Sequence, residues 1–421
     1  MARTQKPSAV RALFPLENRL GMLSLLAGKP NGALFPFHAL RFDVPDAMDP
    51  STTRTLTVDP SLLAEGLQYS LVDGLPPFVE WLTSFQEREH CRERNEGWRV
   101  SSTVGSQDAL HKAFSVLIDP GDCVIAEQPC FPGAISLFQM VGAEMIAAQM
   151  DHHGVITSSL RTLLENWPSE KPKPKCFYTV PFGGNPSGVT TSLDRRLEVL
   201  KLARQHNFLI LEDDPYYYLY FGSTPRPPSY FSLEASSGEV GRVLRFDSFS
   251  KVLAAGMRVG FVTGPWAIIN ALDVYTGKTN LQASTLVHSM VLTLLREWGY
   301  EGFKSHVARV AAFYKQRRDT FEAAMRRHLS GLAEWSTPEA GMFVWFKLLL
   351  GEKQDMDTVE LIGTKACAAN VLALPGTVFF ADSRQTPYVR ASFSLLEEQY
   401  IDEALRRLRM VILAEREAPQ Q

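Results

Sequence analysis

The chain has 421 residues, more than one simple core accommodates, which predicts a large domain accompanied by a smaller one. With 45% hydrophobic residues, 21% charged residues and a formal net charge of −3, it has the balance of a soluble globular protein and no basic excess for nucleic acid or an anionic membrane. Five scattered cysteines without a Cys-x-x-Cys pair argue against a zinc site or disulfide framework, and no apolar run reaches the length of a membrane span.

Residues 1–45 are rich in Pro, Gly and Phe without a strong period, and we expect an extended arm there. Arg3, Lys6, Arg11 and Arg19 against Glu17 form a weak organelle-targeting pattern, beside the cytoplasmic location that reduced thiols suggest. Leu67-Gln68-Tyr69-Ser70 then precedes an amphipathic helix over Phe78–Glu89. A second helix follows Val104-Gly105-Ser106-Gln107-Asp108, with Leu110, Phe114 and Leu117 on one face. A glycine and serine opening leaves backbone N–H groups aimed forward, so Ser106 and Gln107 are candidates to cradle an anion. A plain N-cap is the alternative.

The strand Cys123–Glu127 runs into Phe131. A further strand, Cys176–Val180, delivers Pro181-Phe182-Gly183-Gly184-Asn185-Pro186-Ser187-Gly188. Asn-Pro-x-Gly is a turn on local grounds, and the surrounding prolines and glycines hold the Asn185 amide at a strand end, where ligands sit in open α/β sheets. After a helix over Ser192–His206, an apolar strand from Phe208 ends in Glu212-Asp213-Asp214, with Tyr216 three positions beyond Asp213.

Arg242–Gly264 reads as a strand ending at Asp247, a polar turn Ser248-Phe249-Ser250-Lys251, and a second strand over Val259–Thr263. At a strand end, desolvation and a neighbouring cation lower a lysine's pKa toward the range in which its free amine forms a Schiff base with an aldehyde. Arg258 supplies such a cation and suits a phosphate, to which Ser248 and Ser250 offer hydroxyls. An ordinary lysine in a buried turn is the plainer reading. A long helix over Phe303–Arg327 follows, then strands and helices from Leu332 that suggest a small domain. Within it Arg390 stands among apolar neighbours in Pro387–Ser394; a buried arginine wants an anion, and its fork suits a carboxylate. An ion pair with a nearby Glu is the alternative.

In order and interval these segments resemble the class I and II, fold type I aminotransferases that use pyridoxal 5'-phosphate, especially the branch acting on 2-aminoadipate, kynurenine and aromatic amino acids. The resemblance covers Tyr69 to Arg390. It implies an α/β fold with a mostly parallel sheet of the seven-stranded type, a covering arm over 1–45, a large cofactor domain over 46–305 and a small domain over 306–421. It implies that Lys251 carries the cofactor covalently and moves a proton on the substrate. Ser106, Gln107, Ser248, Ser250 and Arg258 would hold the phosphate, Phe131 would stack on the ring, Asp213 would pair with its nitrogen, and Asn185 and Tyr216 would bond its phenolic oxygen, Asn185 also lying near the substrate carboxylate. Asp214 competes with Asp213 for its role. Arg390 would take the substrate carboxylate. Tyr69 would reach the partner's site in a homodimer. Gly28, in the arm's Leu26-Ala27-Gly28, and Arg11, as a distal-carboxylate contact, are the looser matches. The implied reaction moves an amino group from an amino acid to a 2-oxo acid such as 2-oxoglutarate. A β-eliminating carbon–sulfur lyase on the same fold and an inactive homologue are the alternatives, the latter opposed by intact Lys251, Asp213, Asn185 and Arg390.

Overall fold

The computed structural model describes residues 13, 16, 19–26, 28–236, 238–351 and 358–417. The chain divides into two units, 1–119 with 231–306, and 120–230 with 307–421.

In the first unit the strand Gly260–Pro265 lies between Trp98–Thr103 and Val243–Ser248, antiparallel to both, with Gly260 opposite Thr103 on one side and Ser248 on the other. Val243–Ser248 is buried at every position, as expected of a strand covered on both faces. The helices Ser106–Leu117 and Trp266–Thr276 pack on these strands. Pro76–His90 forms the expected amphipathic helix two residues early, because Pro76 and Pro77 are favourable in a first turn. The last residues of the expected arm, Arg41–Pro45, form a strand in an antiparallel hairpin with Thr53–Thr57. Phe42 opposite Leu56 supplies the apolar pair that period alone did not reveal.

In the second unit Leu209–Asp213, Cys176–Thr179, Cys123–Gln128 and Glu144–Asp151 form a parallel sheet in that order, with Gly154–Val155 antiparallel at the edge. A second, antiparallel sheet orders Ala333–Trp335, Phe343–Leu348, Tyr388–Ser392 and Leu374–Pro375. Val344, Phe346 and Leu348 alternate inward and meet Ile401, Leu405, Leu408 and Ile412 of the closing helix Glu398–Glu417. Helix Thr285–Leu329, within which the chain passes from the first unit to the second, is interrupted at Gly299 (φ 60°, ψ −175°). Among the described residues no helix is long and apolar enough to cross a membrane, and no cluster of His, Cys, Asp or Glu could hold a metal.

Candidate active site

The first unit assembles a lysine beside an anion cradle. The strand Val243–Ser248 ends one residue later than expected, so Ser248 is buried, and its Oγ accepts the Ser250 N–H at 3.2 Å. The Lys251 turn is tied down by Phe249, whose N–H reaches the Val259 carbonyl at 3.0 Å, and by His306, whose Nε2 meets the Val252 carbonyl at 2.6 Å. Arg258 adopts a left-handed conformation (φ 51°, ψ 48°). Its Nη1 donates to Ser250 Oγ at 3.1 Å and Ala255 O at 3.2 Å, and its Nη2 to Val104 O at 3.4 Å.

That last bond carries the guanidinium to the N-terminus of Ser106–Leu117. Gly105, at φ 79° and ψ 167°, opens this helix without any side-chain cap, and a Cβ there would overlap the Arg258 guanidinium. Asp108 is turned back, accepting the Val104 N–H at 3.0 Å and pairing with Lys112 at 2.7 Å. Helix amides, two serine hydroxyls and a guanidinium thus converge where a dianion is favoured. Lys251 is half-buried and faces no carboxylate among the described residues; burial and then the Arg258 charge hold its amine below the usual lysine range.

Two consequences are measurable. Gly105→Ala forces a glycine-type conformation on an L-residue, costing about 1–3 kcal/mol, and pushes Arg258 aside, so urea unfolding should shift by that amount. Arg258→Gln removes a cation, so protonated Lys251 becomes less costly and its pKa rises. The pH midpoint at which the Lys251 amine reacts with a simple aldehyde should then move upward, burial preserving the rest of the depression.

The second unit assembles a carboxylate, an amide and an unneutralised arginine. The Pro181–Gly188 turn is closed by Gly188 N–H to Gly184 O at 2.7 Å, and Gly183 (φ 51°) lies so close to Ala340 that a Cβ would sit 2.5 Å from the Ala340 carbonyl carbon. This packing brings Asn185 to the strand Tyr388–Ser392, where Arg390 stands between Trp345 and Leu374 in register. Arg390 Nη1 donates to Asn185 Oδ1 at 2.9 Å, and the guanidinium lies 4.2 Å from the Phe343 ring centroid and 5.3 Å from that of Phe379. Its buried Nε has no acceptor among the described residues, and no described carboxylate pairs with it. Burial pulls its pKa down, as expected of a cation without a counter-ion. Among the described residues the ion-pair alternative finds no carboxylate; the arrangement suits an external one.

Asp213 ends the strand Leu209–Asp213, buried, and its Oδ2 accepts the Tyr178 hydroxyl at 2.6 Å. Buried Tyr216 stands perpendicular to Phe343, with ring centroids 6.1 Å apart, and burial followed by the Asp213 charge pushes its phenol upward. The remaining candidates stand apart. Phe131 caps the helix Pro132–Met140, and its ring joins none of these contacts. Tyr69 is 57% exposed, Gly28 is exposed, and Arg11 lies outside the described residues. The sequence reading missed Gly105 as the point of contact with Arg258, Phe379 beside Arg390, His306 behind the lysine turn, and Tyr178. A tyrosine inside the apolar strand Cys176–Thr179 was the available signal, since a buried hydroxyl requires a partner.

The Aminotransferase class I and II family matches residues 64–408. Aminotransferase tdiD of Emericella nidulans is 42% identical, over 97% of this chain and 93% of its own length. The mitochondrial kynurenine/alpha-aminoadipate aminotransferase of Mus musculus is 40% identical, over 97% and 96%. The crystal structure of aminotransferase Aro8 from Candida albicans, at 24% identity, shares the fold with a TM-score of 0.88 over 99% of this chain and 97% of that one. The chain belongs to the class I and II aminotransferase family, and with it to the pyridoxal-phosphate-dependent enzymes of the α/β fold expected from its motifs.

Proposed function

We propose that the protein transfers the amino group of 2-aminoadipate, kynurenine or an aromatic amino acid to a 2-oxo acid such as 2-oxoglutarate. The observation that carries this reading is Arg390: a half-buried guanidinium with no carboxylate partner among the described residues, held by Asn185 and faced by Phe343 and Phe379. It offers a carboxylate receptor with aromatic surface beside it. The named relatives support transfer over elimination, and the kynurenine/alpha-aminoadipate relative supports the substrate class.

The residues present fit pyridoxal phosphate: a lysine depressed below its usual range adjoins a dianion cradle that a Cβ at Gly105 would fill. When bound, the cofactor supplies an aldehyde and an electron-withdrawing ring that stabilises negative charge at the substrate Cα. Ser106, Gln107, Ser248, Ser250 and Arg258 would hold its phosphate. Asp213, rather than Asp214, would hold its ring nitrogen, supported by the Tyr178 bond to Asp213. Asn185 and Tyr216 would bond its phenolic oxygen, and Phe131 would cover its ring. Arg390 binds the α-carboxylate and thereby orients the substrate Cα–H. The Lys251 amine, whose protonated form is disfavoured by burial and by Arg258, takes the proton from Cα and returns one.

We further read 1–45 as a covering arm, with Gly28 and Arg11 as substrate contacts, 46–305 as the cofactor-binding domain and 306–421 as the small domain. The second sheet, formed wholly within 306–421, supports the last of these. Exposed Tyr69 supports a homodimer in which it completes the partner's site, and unpaired cysteines support a cytoplasmic location.

Mixing the holoenzyme with 2-aminoadipate, kynurenine or phenylalanine, without any oxo acid, tests the reaction. One equivalent of 2-oxo acid per site, with a matching change in the visible band, is the expected result. Continuous release of ammonia and pyruvate from a sulfur-containing amino acid would overturn it.

A further inference from the structure

We propose that Tyr178 is a positioning residue for the reaction: its hydroxyl fixes the rotation of the Asp213 carboxyl group and keeps it ionised. The inference rests on the reading that Asp213 holds the cofactor's ring nitrogen.

Cys176–Thr179 and Leu209–Asp213 are neighbouring parallel strands, with Tyr178 opposite Leu211. Side chains two apart share a face, so Asp213 emerges on the same side as Leu211, one step diagonally from Tyr178. Tyrosine spans that diagonal, and the O–H to Oδ2 distance of 2.6 Å is that of a charge-assisted bond. Tyr178 is 1% and Asp213 3% exposed, so water does not replace the bond. Phe138 fixes the ring edge-on, with centroids 5.9 Å apart at 81°.

The charges facing Tyr178 identify donor and acceptor. Burial first, then Asp213, and more weakly Cys130 and Glu127, hold its phenol well above the ordinary range, so it keeps its proton at every working pH. A donor that never titrates stabilises the carboxylate form of Asp213, the form that can pair with a protonated ring nitrogen. With Oδ2 occupied by an anchored ring, the carboxyl plane cannot rotate freely. Tyr178 thus acts on the cofactor through Asp213 without touching it.

Tyr178→Phe keeps the ring and removes the bond. The affinity of the apoprotein for pyridoxal phosphate and the pH midpoint of the holoenzyme's visible band are measured in four proteins: wild type, Tyr178→Phe, Asp213→Asn and the double variant. We expect Tyr178→Phe to weaken affinity about 10–100-fold, the range for a bond to a buried charge, and to displace the midpoint. In the Asp213→Asn background it should change neither. An equal effect in both backgrounds would assign Tyr178 to packing and overturn the proposal. So would an unaltered Tyr178→Phe beside a defective Asp213→Asn. A silent Asp213→Asn would instead overturn the underlying role of Asp213, and the proposal with it.

Discussion

Lys251→Ala should abolish covalent retention of the cofactor and lower turnover by about 10²–10⁴-fold from lost proton transfer alone. The turn survives the change, because it is held by backbone and by neighbours: Phe249 to Val259, Ser250 to Ser248, and His306 to Val252. The cradle also survives, since Arg258 is bonded to Ser250, Ala255 and Val104 and not to the lysine. Noncovalent binding of pyridoxal phosphate should therefore persist. Borohydride treatment followed by intact-mass measurement should show cofactor fixed to wild type and none to the variant. Small primary amines should restore part of the turnover, because what is missing is a base of the right size. A variant that still fixes cofactor would refute the assignment of Lys251.

Arg390→Ala should lower kcat/KM for the amino acid and for the oxo acid together, by about 10²–10³-fold, the cost of removing one partner of a buried, hydrogen-bonded charge pair. The reason is the absence of any described carboxylate on this guanidinium, which leaves its charge for an external carboxylate to balance. Removing it takes away ligand binding without stranding a buried protein anion, so the unfolding midpoint should change little. Arg390→Lys should recover only part of the loss, because an ammonium lacks the planar fork that engages both carboxylate oxygens and cannot also hold Asn185 in the same geometry. Affinity for pyridoxal phosphate should fall far less than kcat/KM, through the loosened Asn185 alone. A fall in cofactor affinity equal to that in kcat/KM would show that Arg390 organises the site and does not bind substrate.

Motifs with a local cause were legible in the chain. Asn185-Pro186-Ser187-Gly188 is a turn for reasons contained in its own residues, and the Ser248–Lys251 segment is a strand end for the same kind of reason. The helix opened by Gly105-Ser106 was equally clear, because the change from small residues to a 3.6-residue period is written in consecutive positions. The strand Arg41–Pro45 was not, since its apolar pairing depends on Thr53–Thr57.

By itself the sequence determined the order of chemical groups: a helix start with uncapped amides, a rigid amide, an acid at a strand end, a lysine followed by an arginine, and a late arginine among apolar residues. Chain neighbours decide which backbone shapes are allowed, so these are properties of short windows. Only the tertiary structure decided the partnerships. Tyr178 finds Asp213 across 35 positions and Arg390 finds Asn185 across 205, with no acid among the described residues to neutralise it. Which buried polar group meets which is set by strand register and burial, and desolvation then makes an unpaired charge reactive toward a ligand.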